Sequence, residues 1–215
     1  MRLPIWAKPA VFLACLWPLA NLALAGWNDA LGANPIETIT RSTGTWTLTF
    51  LLITLGVTPL RRLTGFHELA RLRRLLGLYA FFYAGLHFTT YIWLDQFFDL
   101  AAVWKDIAKR PFITVGFANF VLLWPLALTS TNAMVRRLGG RRWQLLHRLV
   151  YVIAIGGVVH YLWLVKKDIR LPVIYGLVLA LLLGLRLAYA LRRPLVEWLA
   201  ARRALGSGAT LERVE

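Results

Sequence analysis

RRWQLLHRLVYVIAIGGVVHYLWLVKKD, residues 141–168, decides the fold. Between its basic ends, Leu145–Val165 is apolar over about the 20 residues a helix needs to cross the hydrocarbon core of a bilayer. Two histidines interrupt it, His147 near its start and His160 near its end. An imidazole is costly in hydrocarbon and normally has a partner or a cofactor there. The thirteen positions between them span about 20 Å at 1.5 Å per residue, so the two rings lie at different depths.

Five further apolar blocks flank this one: Pro9–Ala25, Trp46–Leu60, Leu75–Leu94, Phe112–Leu128 and Leu171–Leu191. The third carries another histidine, His87. The first two are short and must borrow flanking residues. Of the 215 residues, 59% are hydrophobic, above the half expected of a soluble domain. The expectation is an all-α integral membrane protein, a six-transmembrane-helix bundle. One domain covers residues 1–203, with a flexible cytoplasmic tail at 204–215. Pro59 should end span two, Pro111 open span four, Pro125 kink it, Pro172 start span six and Pro194 end it. Arg2 and Lys8 precede an apolar run ending in Ala23-Leu24-Ala25, similar to a signal peptidase site. The length of the run and the spans that follow favour an uncleaved first span.

The net charge of +15 would suit nucleic acid, but its distribution points to a membrane. Arg61, Arg62, Arg71, Arg73 and Arg74 lie between spans two and three, and Arg136, Arg137, Arg141, Arg142 and Arg148 bracket the connection from four to five. Arg192, Arg193, Arg202 and Arg203 follow span six. The alternate connections Gly26–Thr45 and Asp95–Arg110 are nearly neutral; Lys166–Arg170 is mildly basic and discordant. The positive-inside rule then places both termini in the cytoplasm. Spans three and five run outward, so His87 and His160 share the outer half of the membrane and His147 lies in the inner half.

That layout suggests heme held between helices and an electron path across the bilayer. The single cysteine, Cys15, excludes an intrachain disulfide, a covalent CxxCH heme site and a four-cysteine iron–sulfur cluster, and with Met1 and Met134 the only methionines, histidine is the expected axial ligand of any heme. His87 and His160 form the expected bis-histidine pair, and His147 a second site. Gly156 and Gly157 precede His160, and Ala80 and Ala84 precede His87, leaving room for a flat macrocycle. Small residues also simply pack membrane helices. Thirteen residues turn an ideal helix about 220° beyond whole turns, so His147 and His160 share a face only if the helix bends, for which Gly156-Gly157 is the candidate. His67, beside Glu68, reads as a solvated loop residue. The inner arginines, Arg74 among them, serve topology and anionic lipid, and their guanidinium groups also suit heme propionates or an FMN phosphate. Two other classes are a heme-free histidine-relay proton channel or transporter, which would be colourless and need paired carboxylates inside spans, and a structural anchor, which leaves three buried histidines unexplained.

The runs RRLLGLYAFFYAGLHFTTYIWLD (73–95), KRPFITVGF (109–117), PLALTS (125–130) and residues 141–168 resemble the MsrQ/YedZ family. These are heme-binding membrane subunits of the bacterial periplasmic methionine sulfoxide reductase system, within the ferric-reductase-like transmembrane superfamily. The resemblance covers nearly all of the chain. It implies one or two b-type hemes, association with FMN, and location in the inner membrane. It also implies electrons from the quinone pool, delivered to a periplasmic molybdopterin-containing catalytic subunit that repairs oxidised envelope proteins. The chain itself is then a non-catalytic electron-transfer subunit. His87, His147 and His160 fall on the family's histidine positions. Unlike NADPH oxidases, the chain has Arg73 and Arg74 where a partner for His147 would stand on span three, and no flavin–nicotinamide domain follows, so electrons must come from another molecule.

Overall fold

The computed structural model describes residues 4–165 and 167–211, with side chains described up to residue 192. Nine α-helices occur among them: α1 (Ala7–Trp27), α2 (Pro35–Thr64), α3 (Arg73–Thr90), α4 (Leu100–Lys109), α5 (Pro111–Leu128), α6 (Asn132–Leu138), α7 (Gly140–His147), α8 (Leu149–Leu164) and α9 (Arg170–Leu211). Six helical stretches are long and apolar enough to cross a membrane, as expected: Ala7–Trp27, Pro35–Thr64, His67–Asp95, Pro111–Leu128, Gly140–Leu164 and Arg170–Arg192. The chain divides into two compact units, Met1–Leu179 and Ala180–Glu215.

Local chemistry moves several boundaries. Asn34 caps α2 by accepting from the Glu37 N–H, with Pro35 in the first turn, so the helix starts eleven residues before the apolar block. It also runs through Pro59 and stops only at Gly65, whose φ of 70° suits glycine. The third span ends in a five-residue π turn, Tyr91–Asp95, and the outer connection expected at Asp95–Arg110 holds the amphipathic α4, capped by Asp99. Pro125 lies in the last turn of α5, and Pro172 in the first turn of α9. The helix does not end at Pro194: its backbone continues to Leu211, through residues 204–211 of the expected tail, and residues 212–215 lie outside the described residues.

Within Met1–Leu179, α2 packs antiparallel along α3, and α5 antiparallel along α8. Phe50 stacks on Tyr83 at 5.2 Å and touches Tyr79 at 5.8 Å. Phe81 and Phe88 of α3 meet Phe120 of α5. Tyr83, 1% exposed, reaches α1, where its hydroxyl accepts from the Leu19 N–H and donates to the Cys15 carbonyl. Those two groups pair in an unbroken helix; beside Pro18 the hydroxyl stands between them.

Candidate functional site

A cavity of about 330 Å³ lies between the α2–α3 and α5–α8 pairs, and both His87 and His160 line it. Their ring centres are 6.1 Å apart and their planes cross at 78°. The His87 Nδ1 lies 2.9 Å from the carbonyl oxygen of Thr40 on α2. The His160 Nδ1 lies 2.6 Å from that of Phe112 on α5. A carbonyl only accepts, so each Nδ1 carries a proton, and in the neutral ring Nε2 then holds the lone pair. The cavity thus presents two imidazoles whose Nε2 atoms can ligate when the rings are neutral.

The rings sit where the neighbouring helix has no side chain. A Cβ on Gly44 would come within 3.0 Å of the His87 ring, and one on Gly116 within 2.8 Å of the His160 ring. Ala84 and Gly157 line the cavity as the spacing suggests, but the other two small residues do not. Ala80 is fully buried in the core, and the space beside Gly156 is filled by the Asn119 amide, 2.5 Å from where a Cβ would stand.

Polar groups mark one end of the cavity. Arg41 and Arg110 line it, each held by a carboxylate four residues earlier, Glu37 at 2.5 Å and Asp106 at 3.3 Å. Asp106 also accepts from the Tyr91 hydroxyl and the Gln96 amide, tying the π turn to α4. Among the described residues, the buried Thr40 Oγ1 and Asn119 Nδ2 have no hydrogen-bond partner, and both residues line the cavity.

The lining fits a bis-imidazole metal porphyrin. Two in-line metal–imidazole bonds of about 2 Å put ring centres roughly 6 Å apart, as they are here. The walls are otherwise apolar, two buried polar atoms await a partner, and two arginines stand at one end.

His147 does not join this cavity. It stacks on Trp143 at 3.8 Å, its Nδ1 donates within its own helix to the Trp143 carbonyl, and its Nε2 is 3.4 Å from Ser130 Oγ. The bend between His147 and His160 is at Arg148, not at the glycine pair. There the Arg148 and Tyr151 N–H groups bond three residues back rather than four. Arg74 also lies elsewhere, donating to Asn132 Oδ1 at 2.7 Å and lining a second, more open cleft with Lys8 and Arg71. His67 is exposed. Gly44, Gly116, Arg41, Arg110, Thr40 and Asn119 were not legible as site residues. Asn34-Pro35-Ile36-Glu37, a cap followed by Pro and Glu, is the signal that would have placed Thr40, Arg41 and Gly44 on a helix.

Residues 42–158 match the ferric reductase like transmembrane component family. A curated relative from Herminiimonas arsenicoxydans is 60% identical over 185 residues, covering 85% of each chain. One from Azospira oryzae is 60% identical over 186 residues, 86% of this chain and 80% of the relative. One from Polaromonas naphthalenivorans is 49% identical over 207 residues, 95% of this chain and 91% of the relative. Each is named protein-methionine-sulfoxide reductase heme-binding subunit MsrQ. The chain belongs to the ferric-reductase-like transmembrane family and, within it, to the MsrQ family.

Proposed function

We propose that the chain is the b-type cytochrome membrane subunit of a methionine sulfoxide repair system. It carries electrons from the quinone pool, with FMN as a candidate intermediate carrier, across the inner membrane. The acceptor is a periplasmic molybdopterin-containing catalytic subunit that forms a heterodimer with it. The observation that carries the heme assignment is the His87–His160 pair, 6.1 Å apart with both Nδ1 atoms tied to backbone carbonyls. The names of the relatives, heme-binding subunits of a sulfoxide reductase, support the system to which it belongs.

In this reading His87 and His160 would ligate heme b, and Arg41 and Arg110 would take its carboxylates. Bound there, the heme iron supplies one-electron chemistry. The chain's part is to keep water away with Leu48, Leu51, Phe120 and Leu123, and to fix the tautomer of both ligands. His147 is proposed as the ligand of a separate inner-side heme; its depth supports this, and the absence of a histidine at Arg74 leaves the opposite ligand to another group. A histidine relay for protons needs both ring nitrogens to exchange, and pinned Nδ1 atoms oppose that. The test is an absorption spectrum of the detergent-purified protein, with iron and porphyrin counted per chain. A Soret band and a reducible α band are expected; a colourless, fully folded protein that binds no added heme overturns the proposal.

A further inference from the structure

The cavity is lined twice by one pattern. On α2 and α5, Gly44 and Gly116 stand 72 positions apart (116 − 44), as do Leu51 and Leu123 (123 − 51). On α3 and α8, His87 and His160 stand 73 apart (160 − 87), as do Ala84 and Gly157 (157 − 84). Each histidine bonds back across its own antiparallel helix pair to a carbonyl 47 or 48 residues earlier. In both pairs that carbonyl lies four residues before the glycine, Thr40 before Gly44 and Phe112 before Gly116.

The interval of four has a physical reason. In an α-helix the carbonyl of residue i points along the axis toward the N–H of residue i+4. A ring that bonds this carbonyl from outside the helix must pass the side chain at i+4, and only glycine leaves that space open. A glycine in a helix interior is costly in conformational entropy, yet both helices carry one at the equivalent point. Gly44 and Gly116 are the glycines whose added Cβ would meet a histidine ring among the described residues: one on Gly156 would meet the Asn119 amide, one on Gly77 a Thr54 methyl at an ordinary 3.8 Å, and one on Gly85 nothing within 4 Å.

We infer that Gly44 and Gly116 are matched positioning residues, in two copies of one helical hairpin, that let a backbone carbonyl hold the Nδ1–H of each histidine and turn its Nε2 to the cavity. The inference rests on His87 and His160 being heme ligands. A carbonyl accepting from Nδ1–H fixes ring orientation and raises the basicity of Nε2, so the seats govern how firmly the metal is held. The repeat also pairs His147 with Arg74 (147 − 73), so the outer site keeps both copies of the histidine and the inner position keeps one.

The experiment uses the full chain in detergent with Gly116→Ala, Gly44→Ala and Gly85→Ala, the last two residues from His87 on the same helix. Heme retention, the low-spin electron paramagnetic resonance signal and the midpoint potential are read, with helicity checked by circular dichroism. Gly116→Ala is expected to retain heme about 10- to 100-fold less firmly, or to show a high-spin fraction and a shifted potential. Gly44→Ala follows in the same direction with a smaller effect, because its added Cβ has 3.0 Å rather than 2.8 Å. Gly85→Ala matches the parent. Should Gly116→Ala not be recoverable from membranes, the milder Gly44→Ala carries the test. If the Gly44 and Gly116 variants keep the parent's heme retention, signal and potential while His87→Ala and His160→Ala lose the low-spin heme, the seats are overturned and the ligand pair stands. Low-spin heme at full stoichiometry in both histidine variants overturns the ligand pair and the seats with it.

Discussion

His147 stacks face to face on Trp143 at 3.8 Å and 26°, one turn apart on α7, while His160 on the following helix is bound to another helix altogether. The two histidines of one membrane span are therefore held in different ways. The ring of His160 is fixed from outside its helix by the Phe112 carbonyl. That of His147 is fixed within its own helix, near Ser130, with the charges of Arg73 and Arg74 close by.

From this difference, His147→Ala should leave the His87/His160 low-spin spectrum intact. It should lower heme per chain if an inner heme is present, and slow or abolish quinol-driven reduction. Stopped-flow reduction by a quinol in proteoliposomes, beside dithionite reduction as the control, measures both. Unchanged heme content and unchanged quinol reduction would make His147 a structural residue.

Arg41 and Arg110 carry the second prediction. Both side chains are more than half exposed, at 60% and 55%, so solvent weakens whatever they hold. Each contribution to binding a heme carboxylate should be about 0.5–1 kcal/mol, a two- to fivefold loss of heme affinity on replacement by alanine. Titration of apoprotein with hemin reads it. Arg74→Ala, in the other cleft, should leave this affinity unchanged.

The spans, the three histidines and the shared depth of two of them were legible because hydrophobic length and costly polar residues are local signals in a membrane chain. The seats were not. Gly44 stood in a stretch that looks like a loop, because Thr40, Arg41, Ser42, Thr43 and Thr45 make the start of α2 polar. That polarity belongs to a helix end near a polar cavity mouth. Gly116 offered no signal at all, since what marks it is a ring 44 positions away (160 − 116). The bend at Arg148 was equally hidden: it comes from hydrogen bonds that shift from four residues back to three, while of the glycine pair that looked flexible Gly156 is packed against Asn119 and Gly157 against Leu48. Arg74 was assigned by charge alone, and charge does not say which cavity a guanidinium lines.

Tyr83 should be a large contributor to stability among the buried aromatics. Its hydroxyl satisfies both the Leu19 N–H and the Cys15 carbonyl beside Pro18. Tyr83→Phe keeps the ring stacked on Phe50 but leaves those backbone groups without this partner in an apolar setting. The expected cost is about 1–3 kcal/mol, read as a lower thermal midpoint in detergent. Tyr79→Phe removes a single bond, to the Phe12 carbonyl, and should cost less. Equal midpoints for Tyr83→Phe and the parent would show that α1 closes its own ladder at this point.

Orientation is the last prediction, and the direction of electron flow depends on it. Arg61, Arg62, Arg71, Arg73 and Arg74 gather at the end where α2 stops and α3 starts, and Arg136, Arg137, Arg141 and Arg142 at the end where α5 stops and α8 begins. The opposite connections are nearly neutral, with Asp29, Glu37, Asp95, Asp99 and Asp106 set against Arg41, Lys105, Lys109 and Arg110. Positively charged residues are retained on the cytoplasmic side during insertion. Reporter fusions should therefore find residues 28–34 and 96–99 in the periplasm and residues 136–142 in the cytoplasm. The His87–His160 cavity, with Arg41 and Arg110 at its mouth, then opens toward the periplasm, the side on which a sulfoxide-reducing partner would collect electrons. Residues 136–142 found in the periplasm would put that mouth on the cytoplasmic side and reverse the proposed flow.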